Sequence, residues 1–333
     1  MTTTSIGIGL QGNLSPAQYK DIAFTADELG IDYITMFGDL MFQPPIPPLV
    51  EMAGVTKSVI LGPACLNPFA TAPHEIAGQI AYLDLVSKGR SYLGLARGTW
   101  LSGVGISQER AVLVLREALE VIRRLLAGDH TGWEGEIYRL APGIGFEFTP
   151  QRSSIPTLIG TWWKQTAHLA GQVADEVKIG GTANPLMIPV MRAYLDEGAR
   201  SVGRDPSEVG VVVGAVTVVD EDHEAARALA RKEVAMYLAV VADLDSTIFL
   251  EPDLVDQVRA RVDAGDRAGA GVLIPDNVLD LFAFSGSPEH VGQQVQSLID
   301  AGASRVELGT PQGINTERGV RLIGERVLPL LRR

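Results

Sequence analysis

One cysteine, Cys65, stands alone in a chain of 333 residues. An intrachain disulfide is therefore excluded, and a single thiol suits a reducing, cytoplasmic setting. Histidine is scarce as well. His74, His130, His168, His223 and His290 fall at no ligand spacing, and none accompanies a second His or Cys, so no metal is expected. Long apolar runs are missing. The longest stretches, such as Val209–Val219 with Gly210 and Gly214 inside it, are too short to span a bilayer. Basic charge is in deficit, with 28 Lys and Arg against 40 Asp and Glu and a net charge of −12. That balance argues against a general nucleic-acid binder but leaves room for a local cationic pocket. The N-terminus, MTTTSIGIGLQG, has no basic n-region and runs straight into a strand, so no signal peptide is expected. No GxSxG elbow, no P-loop and no GxGxxG after a strand is present. Neither nucleic acid nor a membrane is expected as a partner; the small-residue loops at the strand ends suit a small-molecule substrate instead.

What is there is a rhythm. Hydrophobic residues make up 46% and charged residues 20%, enough for a large core. Short apolar strands are predicted at Ile6–Leu10, Tyr33–Phe37, Val59–Cys65, Tyr92–Ala96, Pro156–Gly160, Glu176–Ile179, Val209–Val218 and Arg305–Leu308. Helical spacing lies between them. Ser15-Pro16 starts a helix whose Tyr19, Ile22, Ala23 and Ala26 share a face until Gly30 stops it. Further helices are predicted at Pro48–Thr56, Pro73–Val86, Ser107–Ala127, Thr166–Val173, Pro185–Val202, Asp222–Val241, Pro288–Ala301 and Thr316–Leu331. Prolines are expected to keep the loop GDLMFQPPIPP irregular. Two segments break the alternation: 129–154, whose GWEGEIYRL and GFEFTP resemble short strands, and 243–277, read as irregular. The pattern predicts an α/β fold, a (β/α)8 TIM barrel forming one domain over residues 1–333, with insertions after strands four and seven. A doubly wound sheet is the competing architecture.

In a barrel, reactive groups sit at the C-terminal ends of strands. That rule selects Gly38-Asp39, Ala64 to Asn67, Arg97 to Trp100, Gly160 to Trp163 and Gly180-Gly181. Asp39 is a carboxylate in an otherwise apolar loop. It is read either as a turn residue satisfying local donors or as a proton carrier over a bound ring. Cys65 is read first as a small apolar residue at a strand end. Trp162 and Trp163 serve as ligand wall or as packing. Arg97 either binds an anion or turns outward into a salt bridge.

Several stretches, taken in order, resemble the luciferase-like superfamily of barrel oxidoreductases. They are IGIGL, ELGIDYITMFGD, LGPACLNPFATAP, LDLVSKGRSYLGLARGTW, IPTLIGTWW with LAGQVADEV, and FAFSGSPEHVGQQVQSLIDAGASRVELGTP. Within that superfamily they are most similar to the deazaflavin-dependent branch typified by methylenetetrahydromethanopterin reductase. The resemblance implies coenzyme F420 as cofactor and hydride transfer with an activated alkene, imine or carbonyl, in a homodimer. It implies a non-prolyl cis peptide at Ala64-Cys65 under the middle ring, with Asn67 in the ring-binding loop and Gly98 and Thr99 at the ring edge. Gly160, Thr161 and Trp162 fall where relatives bind the cofactor phosphate through backbone amides. Asp39 is the expected catalytic residue and also touches the cofactor, while Met41, Phe42 and Trp100 are expected around the substrate. Six residues at four places depart from the branch. Gly38-Asp39 replaces a frequent Asp-His, Thr99 an acidic residue, Thr71-Ala72 an Arg-His pair, and Glu176 a usual Gly. An FMN-dependent monooxygenase is the alternative within the family, but its Glu-His-His cluster after strand two is missing. A non-catalytic flavin-binding protein is the alternative of another class.

Overall fold

The computed structural model describes residues 3–333, so Met1 and Thr2 of the N-terminal reading lie outside the described residues. Eight strands form the central ring: β1 Ser5–Leu10, β2 Tyr33–Met36, β3 Ile60–Pro63, β4 Leu93–Ala96, β5 Thr157–Gly160, β6 Glu176–Gly180, β7 Gly210–Val219 and β8 Arg305–Gln312. Their order is β3-β2-β1-β8-β7-β6-β5-β4, and every neighbouring pair is parallel. Two single bridges, Leu61 to Ser91 and Leu66 to Leu95, draw β3 and β4 together and nearly close the ring. A doubly wound sheet would leave two open edges, so the barrel prediction holds.

Helices α1 Pro16–Glu28, α2 Ile46–Ala53, α3 Pro73–Val86, α4 Ala111–Ala127, α5 Lys164–Val173, α6 Met187–Ser201 and α7 His223–Val241 follow β1 to β7 in turn. The α1 start shows how local chemistry sets an element. Ser15 and Gln18 form a reciprocal capping box, Pro16 sits where its missing N–H is no loss, and Tyr19, Ile22, Ala23 and Ala26 are buried. A large side chain such as Ile22 gains about 1.5–3 kcal/mol from that burial.

The predicted boundaries need five corrections. Segment 243–277 is helical, not irregular. It carries α8 Pro252–Asp263, α9 Arg267–Val272 and the start of α10 Asp276–Phe282, with Asp266 capping α9 through Gly269 N. Pro47 and Pro48 do not block α2, because they occupy its first turn, where no N–H partner is needed. Helix α4 starts at Ala111 rather than Ser107, since Arg110 is left-handed at φ 53°. The final helix divides into α12 Thr316–Leu322 and looser turns to Leu330, while α11 Pro288–Asp300 begins at Pro288 as read, with Ser287 capping it through His290 N. In segment 129–154 only Trp133–Glu134 and Arg139–Leu140 pair as strands, while Phe146 and Phe148 of GFEFTP stack instead. An unpredicted strand, Ala283–Gly286, pairs with the second half of β7 beyond the point where β6 stops.

Strand alternation sends Ile6, Ile8 and Leu10 outward into the main core. The opposite faces point into the barrel, where glycines make room for large polar groups. A Cβ on Gly62 would strike the Tyr92 ring, and one on Gly9 would crowd Phe37 and Glu307. Lower in the barrel Arg305 is fully buried between Tyr33 and Tyr92, its guanidinium 4.2 and 4.7 Å from their ring centroids. Arg305 Nη2 lies 2.9 Å from Glu176 Oε2, a charge pair by distance whose angles fall outside hydrogen-bond geometry. Burial opposes the Arg305 charge, but Glu176, then Tyr92 and Glu307, outweigh it and keep the guanidinium protonated.

Candidate active site

Every barrel strand ends its chain direction at the same face, and a cavity of about 1710 Å³ opens there. Asp39, Met41 and Phe42 enter it from the loop after β2. Ala64, Cys65 and Asn67 enter after β3, and Gly98, Thr99 and Trp100 after β4. Gly160, Thr161 and Trp162 enter after β5. All twelve residues singled out in the sequence thus border one cavity.

Local bonds explain how the loops are held. The Ala64-Cys65 peptide is cis. A Cβ on Gly160 would come within 2.8 Å of Cys65 Sγ, so glycine there lets β5 approach the cis peptide segment. Asn67 Oδ1 accepts from Ala70 N at 2.8 Å. Gln108 Nε2 donates to Gly98 O at 3.0 Å and clamps the loop that carries Thr99 and Trp100. Asp39 Oδ2 accepts from Gln11 Nε2 at 3.1 Å. Trp162 Nε1 donates to Gly180 O at 3.0 Å, which fixes the indole as wall rather than free surface. The Thr161 amide is already used, donating to Lys178 O at 3.0 Å, and Trp163 N donates to Thr161 Oγ1. The three amides that open α5 are more accessible to a ligand, because Trp163 supplies no side-chain cap.

Sequence reasoning missed two groups at the cavity. Lys164, Gln165 and Thr166 line it from the first turn of α5. Lys178 and Glu307, inward residues of β6 and β8, line its floor as a buried ion pair. The available signal was a pair of opposite charges at alternate positions in each otherwise apolar strand, EVKIG and RVELG. Burial works to raise Glu307, but Lys178 and then Arg305 overcome it and hold the carboxyl below its ordinary range. Tyr237 of α7 also lines the cavity, and burial, aided by Asp39, pushes its hydroxyl up to about 12.

Cys65 is not a nucleophile in waiting. Burial pushes its thiol up to about 12 from 9.0. Its alkylation rate should therefore still be climbing above pH 10, with no plateau near 9; a plateau there in an iodoacetamide profile would contradict the site as described. A raised thiol value means that the folded state holds its proton the more tightly. The resulting stability is complete below about pH 9 and is lost as pH rises towards about 12.

The cavity's charge runs against that of the whole chain. Arg97, Arg110, Arg116, Lys164 and Lys178 border it, against the carboxylates Asp39 and Glu307. Four of these cations lie after β4, at the start of and within α4, and at the start of α5, with Arg110 paired to Glu136 and Lys164 to Glu197. The sector formed by the β2 loop and α7 is mostly apolar, with Met41, Phe42, Met236 and Val240 around the polar Asp39, Gln43 and Tyr237. Among the described residues no group of three or more His, Cys, Asp or Glu is placed to hold a metal, and no helix is long and apolar enough to cross a membrane.

A parallel eight-stranded α/β barrel with a mixed polar and aromatic cavity at its strand ends is the architecture in which barrel enzymes place their active sites. The particular family follows from comparison: residues 1–305 match the model of the luciferase-like monooxygenases, and the chain belongs to that family, as an oxidoreductase. It is 30% identical over 317 residues to the 5,10-methylenetetrahydromethanopterin reductase of Archaeoglobus fulgidus, covering 92% of this chain and 93% of that protein. It is 25% identical over 335 residues to an F420-dependent glucose-6-phosphate dehydrogenase of Microbacterium testaceum, covering 96% and 94%. Among solved structures, the coenzyme F420 dependent tetrahydromethanopterin reductase of Methanopyrus kandleri superposes with a TM-score of 0.91 at 24% identity, over 99% of this chain and 100% of that one.

Proposed function

We propose that this protein transfers a hydride between coenzyme F420 and a bulky, weakly polar organic substrate such as an activated alkene, imine or carbonyl. The observation that carries the reading is the segregation of the cavity into a cationic sector and a mostly apolar one. A cofactor with a flat ring and an anionic tail fits that division. The ring would lie against Ala64, Cys65 and Asn67, where the backbone itself forms the surface, with Gly98 and Thr99 at its edge. The phosphate would be held by the open amides of Lys164, Gln165 and Thr166, where a helix N-terminus favours negative charge. Trp162 would wall the ring off from that end. Arg97, Arg110 and Arg116 would then meet the remaining anionic groups of the tail.

Bound there, the deazaflavin supplies a hydride-transferring carbon. The protein's task is to place the acceptor and to manage one proton. Met41, Phe42 and Trp100 would hold an apolar substrate body. Asp39 would carry the proton at Oδ1, since Oδ2 is engaged by Gln11. Glu307, the other cavity carboxylate, is held ionised by Lys178 and is unsuited to the same role. Exposed apolar side chains on and near α3, including Tyr82, Leu85 and Phe148, support the expectation of a homodimer.

A fluorescence titration tests the cofactor. Coenzyme F420 should bind more tightly than flavin mononucleotide, and tight flavin binding without measurable F420 binding would sink the reading. Substrate class has its own test. The apolar sector holds no spare cation for a second phosphate, so glucose 6-phosphate should turn over poorly or not at all. Efficient oxidation of that sugar would place the substrate elsewhere.

A further inference from the structure

Two ionisable side chains at the cavity floor have no task in the account above. Lys178 is 7% exposed and Glu307 1% exposed, and both line the cavity. Lys178 Nζ donates to Glu307 Oε1 and lies 4.8 Å from the centroid of the Phe37 ring. An ammonium carries three N–H donors. Among the described residues only Glu307 accepts from this one. Hence a buried cation with unused donors lines the base of the ligand cavity that Cys65 also borders. A neutral apolar pair would fill the barrel equally well and without the desolvation of two charges, so closing the interior does not by itself account for it.

We propose that Lys178 binds the negative charge of the reduced deazaflavin ring, with Glu307 as the positioning residue that keeps the ammonium at the cavity floor. The proposal rests on the F420 reading and adds redox-state selection to it. A hydride delivered to the ring without an accompanying proton adds one negative charge, which delocalises onto its pyrimidinedione atoms. A fixed cation beside those atoms favours the reduced state, one of the ways a protein tunes a cofactor's electronics. Lys178 supplies N–H donors and a local positive charge, offset in part by Glu307, from a site where water does not screen it.

The test compares affinities for oxidised and reduced coenzyme F420, each titrated into wild type and three variants. In Lys178→Met the ratio of reduced to oxidised Kd should rise about tenfold, the scale of one hydrogen bond to a charged group. For a two-electron couple that fold-change corresponds to about 30 mV towards a more negative bound potential. Lys178→Arg keeps the charge and should return the ratio to the wild-type value. Leaving Glu307 unpaired threatens folding, so Lys178→Met combined with Glu307→Gln provides a neutral floor and should shift the ratio in the same direction. Equal loss of affinity for both redox states marks packing alone and overturns the proposal, as does an unchanged ratio. A wild type that binds neither form overturns the F420 reading and this proposal with it. A wild type that binds both, with variants of unaltered ratio, overturns the proposal only.

Discussion

Asp39→Asn should lower turnover by about 100- to 10,000-fold, the usual worth of a positioned acid or base. Cofactor affinity and melting temperature should move little. The asymmetry follows from where the side chain sits. Asp39 is the ionisable residue of the β2 loop and borders the cavity beside an apolar sector. Asn keeps an oxygen to accept from Gln11 Nε2, so the loop remains anchored. What it loses is a proton that can be given and taken at Oδ1. Steady-state kinetics on the native substrate, with a melting curve for each protein, decide the matter. Wild-type turnover would transfer the proton's source to water or another residue. An unfolded variant would return Asp39 to the role of a turn residue.

The second large effect lies deeper and concerns stability. Arg305→Met should cost about 3–5 kcal/mol, the penalty for removing one partner of a buried charge pair. Arg305 is fully buried, clasped by two tyrosine rings, and its charge balances Glu176. Burial already pushes Glu176 above its ordinary value, and loss of the guanidinium leaves that carboxylate with less to offset its desolvation. Adding Glu176→Gln to Arg305→Met should recover much of the loss, because a neutral interior no longer holds an orphaned charge. Denaturant unfolding of the two variants gives the comparison. If the single substitution is harmless, the ion pair is not what the barrel interior depends on.

Much of the barrel was legible because its strands are short apolar runs that end in Gly, Pro or a polar turn. Strand ends then nominated the loops, and the loops named in the sequence do meet in one cavity. Helix ends were less legible where local chemistry defeats a simple rule. Proline marks a loop when it interrupts a helix but a start when it occupies the first turn, as Pro47 and Pro48 do in α2. Segment 243–277 looked irregular because its helices are short and broken by Gly265 and Pro275, though Asp266 was a readable cap. The strand Ala283–Gly286 is four residues long and directly follows α10, so no turn signal separates the two. Lys178 and Glu307 were hidden for another reason. They are 129 positions apart, and only closure of the barrel brings β6 and β8 to the same interior. Glu176 did stand out as a departure, yet its partner Arg305 could not be named before the fold placed the two together.

A crystal structure of the protein with coenzyme F420 tests the central claim most directly. The account predicts density for the deazaflavin ring against Ala64 and Cys65, the phosphate at the amides of Lys164 to Thr166, and the apolar sector beside Asp39 left open for substrate. A ring seated elsewhere in the cavity, or a phosphate bound away from the start of α5, would contradict it.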